Sequence, residues 1–256
     1  MKKNYKARDM IKMNKTTKKK IKKAAKKVIE KIVPEIILDI RKKLRNDYPY
    51  RKYTKEHKCI FIHIPKTAGT SIWRVLLKNK TKRDHIPYSA FLSADPEKFN
   101  SYYKFTFVRN PWDRLVSGYE YLLQGGNKTG DLYFQDLFMK KYDTFDKFVL
   151  NYLDKDKIHE HGLFGPQYLY IYDYKGKCQV DFVGRFENIE QDFLKVVKHL
   201  NINDKLPHTN KSKRNDYTSY YTNKEVLNKV SDLYKKDIEL FNYTFDDYND
   251  DVSPSS

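Results

Sequence analysis

The chain has 256 residues, 39% of them hydrophobic and 15% aromatic, which is enough to bury one sizeable core. Its net charge of +18 would suit a nucleic-acid binder, but residues 1–58 hold 22 Lys/Arg against 6 Asp/Glu, and the rest hold 29 against 27. The body is therefore close to neutral, the basic character belongs to an N-terminal arm, and nucleic acid is not an expected partner. Two cysteines, Cys59 and Cys178, each within an apolar run, read as buried thiols and exclude a disulfide framework or a cysteine metal site.

The first 20 residues carry charge without an apolar core, so they do not read as a signal peptide. Residues 17–33 place Ile21, Ala24, Ala25, Val28 and Ile32 at helical spacing, with lysines on the other face. This is a basic amphipathic helix, read as a solvated arm, with peripheral contact to an anionic membrane surface as the alternative. Pro34 breaks it, and "IVPEIILDI" is too short and too interrupted to span a bilayer. A cytoplasmic location is expected. Residues 36–45 continue the helix, and 46–55 read as a linker. The division is an arm and linker over 1–55 and a folded domain over 56–248.

"CIFIHI" (59–64) is a continuous apolar run, the pattern of a strand covered on both faces. After a turn at Pro65–Gly69, a helix runs from about Thr70 to Lys78, with Ile72, Val75 and Leu76 inward. "KFTFV" (104–108) is a second buried strand, followed by a helix with Leu115, Tyr119 and Leu122 inward. "CQVDFVGRF" (178–186) is a third strand. Asn188 and Gln191 form a capping-box-like start to a helix over 189–200, with Ile189, Phe193, Val197 and Leu200 on one face. A last helix, 223–240, carries Val226, Val230 and Leu233. The alternation predicts an α/β fold with a parallel sheet covered by helices. The acidic tail reads as frayed.

Two segments carry chemistry. In "HIPKTAGTS", Pro65 and Gly69 bend the chain out of a strand, so that backbone N–H groups point at the mouth of a helix. A helix N-terminus attracts anions. Lys66 adds a cation and Thr67, Thr70 and Ser71 add hydroxyls. In "FTFVRNPWDRLVSGYEYL", Arg109 ends a strand, and Ser117 shares a helix face with Asp113 and Arg114. An Arg fork with a hydroxyl suits a terminal phosphate; a structural Arg109–Asp113 pair is the other reading. Together they place two anion grips at strand tips, where open α/β sheets bind ligands.

These segments resemble sulfotransferase family 2, the carbohydrate sulfotransferases that include heparan sulfate 2-O-sulfotransferase. The resemblance extends through "VDFVGRFENIEQDF" and "LYKKDIELFNYTF", covering roughly 58–245. It implies a P-loop-NTPase-like sheet and 3′-phosphoadenosine 5′-phosphosulfate (PAPS) as co-substrate. It implies that Lys66, Thr67, Ala68, Gly69, Thr70 and Ser71 hold the 5′-phosphosulfate and that Arg109 and Ser117 hold the 3′-phosphate. A late loop in "PHTNKSKRNDY" (207–217), with Ser212, Lys213 and Arg214, would close over the donor.

The same resemblance aligns His85, in "DHIPYSAF", with the catalytic base. Some relatives carry a second His two residues earlier, where this chain has Arg83. Lys66 is placed to neutralise the leaving phosphate, and positioning with electrostatics dominates such transfers. Lys and Arg supply the positive charge, so no metal is called for. His63 reads as a packed core residue, and Glu187 as a helix-terminus group. The expected acceptor is a carbohydrate or glycolipid; Tyr88, Phe91, Phe164, Gln167 and Tyr168 suit a sugar but also suit a core. The alternatives are a nucleotide-dependent kinase, disfavoured because no Gly-x-x-x-x-Gly-Lys-Ser/Thr stretch exists, and a binding protein with an inactive body. Oligomeric state is not legible.

Overall fold

A computed structural model describes residues 48–78, 84–127, 131–132, 135, 141–207 and 214–246. The predicted arm helix, the basic segment around Ser212 and Lys213, and the acidic tail lie outside the described residues.

Three strands form a parallel sheet in the order β1 (Cys59–Ile62), β2 (Tyr103–Val108) and β3 (Phe182–Arg185). Phe61 pairs with Phe105, and Phe105 with Phe182. Parallel neighbours need crossovers, and helices fill them. Between β1 and β2 lie α2 (Gly69–Leu76), α3 (Tyr88–Ala94) and α4 (Pro96–Ser101), preceded by α1 (Lys52–His57). Between β2 and β3 lie α5 (Pro111–Leu123) and α6 (Phe145–Asn151). After β3 come α7 (Ile189–His199), α8 (Lys224–Leu233) and α9 (Lys235–Phe241). This is an α/β fold with a small parallel sheet flanked by helices.

Strand side chains alternate between faces, so the core has two halves. Ile60 and Ile62 pack with Leu115, Val116 and Leu122 of α5 on one side. Cys59, Phe61, Phe105 and Phe107 pack with Ile72 and Trp73 of α2 and Phe193 and Val196 of α7 on the other. Both faces are covered, which is why β1 reads as an unbroken apolar run.

Several details differ from the sequence reading. The segment read as a linker opens the folded body: Tyr50 and Tyr53 are core residues, and the Tyr50 hydroxyl donates to the carbonyls of Phe91 and Asp95 at 2.9 Å each. β3 starts at Phe182, because Cys178 pairs back with Tyr172 in an antiparallel bridge, and its thiol is half-buried. Asn188 precedes α7 but makes no side-chain cap; Asp192 instead reaches back to the Arg185 N–H at 2.8 Å. The last helix is two, α8 and α9, broken at Tyr234. The break lets Tyr234 Oη donate to the Phe164 carbonyl at 2.6 Å while Asp237 accepts the Gln167 and Tyr168 N–H groups at 2.7 and 2.8 Å. Among the described residues no helix is long and apolar enough to cross a membrane.

Candidate active site

Beyond the C-terminal tips of the strands opens a cavity of about 1170 Å3, lined by the segments that leave each strand. The first wall is the turn from β1 to α2. Its left-handed residues are Lys66 (φ 68°) and Ala68 (φ 62°), and no other residue of the turn has positive φ. Alternating left- and right-handed residues aim successive N–H groups at one centre, the nest that holds anions. The N–H groups of Thr67, Ala68, Gly69 and Thr70 meet no acceptor among the described residues, whereas Ser71 N–H returns to the Ala68 carbonyl at 3.0 Å. Holding two non-glycine residues there costs roughly 1–2 kcal/mol each.

Lys66, Ala68, Gly69, Thr70 and Ser71 line the cavity. Thr67 does not point there: it is fully buried, and its hydroxyl donates to the Ile64 carbonyl at 2.8 Å, tying the turn to the strand end. Its contribution to an anion would be its N–H. The φ of Gly69 is ordinary, and what requires a glycine there is the His63 ring, which a β-carbon would meet at 1.9 Å. Lys66 Nζ lies 4.3 Å from the centre of the Tyr121 ring.

The second wall is the β2–α5 turn. Asn110 caps α5, accepting from the Trp112 and Asp113 N–H groups at 3.1 and 3.3 Å, with Pro111 at the first helical position. Arg109 is thereby held at the cavity edge. Its Nε donates to Asp113 at 2.8 Å, one terminal nitrogen pairs with Asp113 at 2.7 Å, and the other donates to the Lys66 carbonyl at 3.1 Å. The guanidinium also lies over the Phe186 ring at 3.9 Å. Asp113 pairs with Arg214 as well, so one carboxylate joins two guanidinium groups. Ser117, 7% exposed, lines the same wall.

Arg114 departs from the expected face. It is fully buried and donates to the carbonyls of Leu163 and Gly165 at 3.1 and 2.7 Å. Phe91, Phe164 and Gln167 are likewise core residues, and Gln167 is locked by two bonds to the Arg109 backbone at 2.9 and 2.8 Å. Those sugar-binding candidates fall away.

His85 lines the cavity, and its Nδ1 lies 3.1 Å from the His63 carbonyl. A carbonyl only accepts, so Nδ1 carries a proton. Glu187 reaches across to accept the Asn110 N–H at 2.7 Å and the Tyr243 hydroxyl at 2.9 Å. It is a helix-terminus group, as expected, but for α5 rather than for its own helix. Burial pushes its carboxyl up, against the pull of these bonds.

The sulfotransferase family model matches residues 49–244. The chain belongs to the sulfotransferase family. Carbohydrate sulfotransferase 11 of Rattus norvegicus and of Mus musculus are each 26% identical to it, over 79% of this chain and 69% of theirs. Carbohydrate sulfotransferase 14 of Danio rerio is 28% identical over 54% of this chain and 44% of its own. No solved structure matches it.

This sulfotransferase brings Lys66, Ala68–Ser71, His85, Arg109, Ser117 and Arg214 to one cavity. Ser212 and Lys213 lie outside the described residues. His63 is buried, as read, but it also lines the cavity, and so does Tyr121; the sequence reading placed neither there. Strand alternation held the signal for His63, which shares parity with Cys59 and Phe61 and so faces α2.

Proposed function

We propose that this sulfotransferase takes the sulfuryl group of PAPS and places it on a hydroxyl of a carbohydrate or glycolipid acceptor. One observation carries the reading: a single cavity gathers a nest of unpaired N–H groups, a lysine, an arginine with a nearby hydroxyl, and an oriented imidazole. That donor set fits a ligand anionic at two ends. The similarity to carbohydrate sulfotransferases 11 and 14 supports the carbohydrate acceptor. A strand, an anion-binding turn and a helix in succession also support the P-loop-like comparison.

When bound, PAPS supplies a sulfuryl group whose S–O bond to the bisphosphate breaks as a new one forms to the acceptor oxygen. The turn from Lys66 to Ser71 binds the 5′-phosphosulfate through its N–H groups and the α2 dipole. Lys66 neutralises charge on the leaving oxygen. Arg109 and Ser117 hold the 3′-phosphate; three of the five guanidinium N–H groups are used within the chain, which leaves two to offer. Arg214, tied to Asp113, stands at the same corner of the cavity. With its proton on Nδ1, His85 takes the acceptor proton at Nε2.

Calorimetry tests this without knowing the acceptor. Adenosine 3′,5′-bisphosphate should bind without magnesium and more tightly than ATP with it. A preference for magnesium-ATP would replace this reading with the kinase alternative.

A further inference from the structure

His63 has no part in that scheme, yet it is 5% exposed and lines the cavity. The Trp73 indole N–H donates to its Nδ1 at 3.1 Å. An indole nitrogen only donates, so Nδ1 is the acceptor and the ring proton sits on Nε2. The ring is sandwiched with precision: Phe61 stacks on it at 5.5 Å between centroids, and Nε2 fills the space where a Gly69 side chain would begin. Nε2–H meets no hydrogen-bond acceptor among the described residues. On the cavity side the His85 ring centroid is 4.3 Å away, and the His63 carbonyl receives the His85 Nδ1–H. His63 therefore stands between the mouth of α2 and the imidazole assigned as base.

We propose that His63 is a donor-binding residue of the transfer, whose Nε2–H faces the oxygens of the sulfuryl group held between Lys66 and His85. The inference rests on the site assignment above and deepens it. A neutral donor suits this place. Burial, and then the neighbouring His85, hold the His63 ring well below the ordinary histidine range, so it does not compete for the proton His85 must take. The indole of Trp73 fixes which His63 nitrogen is offered, and the backbone carbonyl of His63 fixes the tautomer of the base.

Two measurements decide it. In the wild-type protein labelled with 15N-histidine, long-range proton–nitrogen correlation should find the His63 proton on Nε2; a proton on Nδ1 overturns the proposal without any variant. Calorimetry of His63→Phe should then show PAPS binding weakened about tenfold or more, with the bisphosphate, which lacks the sulfuryl group, changed less than about threefold. His63→Gln, which keeps an N–H donor, should recover part of the loss. Equal loss for both ligands, or none for PAPS, removes His63 from this role. A wild-type protein that binds neither ligand overturns the site assignment itself, and a wild type that binds both while His63→Phe binds PAPS equally well overturns only His63.

Discussion

At the scale of single residues, the cavity sets an oriented imidazole beside a lysine and two arginines. His85 is aimed by one bond from Nδ1 to a carbonyl, so its imidazole is oriented before any ligand arrives. His85→Ala should lower turnover by about 10²- to 10⁴-fold, the usual range for a positioned general base, with bisphosphate affinity nearly unchanged. Near-normal turnover in that variant would remove His85 from the reaction. Arg109 is different. It is knotted to Asp113, Lys66 and Phe186, so it shapes the pocket as well as charging it. Arg109→Ala should weaken the bisphosphate about tenfold or more, since bonds to charged groups contribute about 1.5–3 kcal/mol. Unaltered affinity by calorimetry would leave Arg109 with only the structural pairing. The two readings of Arg109 are compatible here, because the Asp113 pair uses one edge of the guanidinium.

At the scale of elements, two turns position the chemistry, and each is fixed by its own side chains. The β2–α5 turn depends on Asn110, fully buried, which caps α5 and also donates to the Thr244 carbonyl at 2.9 Å. Asn110→Ala removes a cap and a buried bond, each typically about 1 kcal/mol. Urea denaturation should therefore show a loss of about 2 kcal/mol, with weakened bisphosphate binding because Arg109 is the preceding residue. A loss within experimental scatter of zero would mean the turn is held elsewhere, through Glu187 and Gln167. The β1–α2 turn depends instead on Thr67 turned inward and on the left-handed Lys66 and Ala68. Such positions concentrate where function needs them.

For the whole molecule, the two-sided core fixes the sheet, and the buried ionisable groups set its response to pH. Below about pH 6.5 the unfolded chain protonates His63 while the folded ring stays neutral. The unfolded state then binds more protons, so stability falls as pH drops. His161, lowered by burial against the pull of Asp131, acts in the same direction. Glu187 and Asp237, both raised by burial, take up protons in the fold first and oppose this at more acid pH. The urea midpoint should therefore fall between pH 7 and 5.5, and fall less in His63→Gln. Equal slopes in the two proteins would mean that His63 titrates normally in the fold.

The residues alone determined the parallel α/β arrangement, the two strand-to-helix turns that line the cavity and the family, because each rests on a local pattern: apolar runs covered on both faces, a strand-to-helix turn, an arginine at a strand end. They also placed the inward stripes of α2 and α5 correctly. What only the tertiary structure decided depends on contacts across long separations. Arg114 turned into the core because carbonyls from Leu163 and Gly165 were there to accept it. His63 became a neighbour of the imidazole at the cavity because the segment carrying His85, 22 residues on, folds against it. No periodicity encodes such pairings, since they form only when separate segments are folded onto one sheet edge.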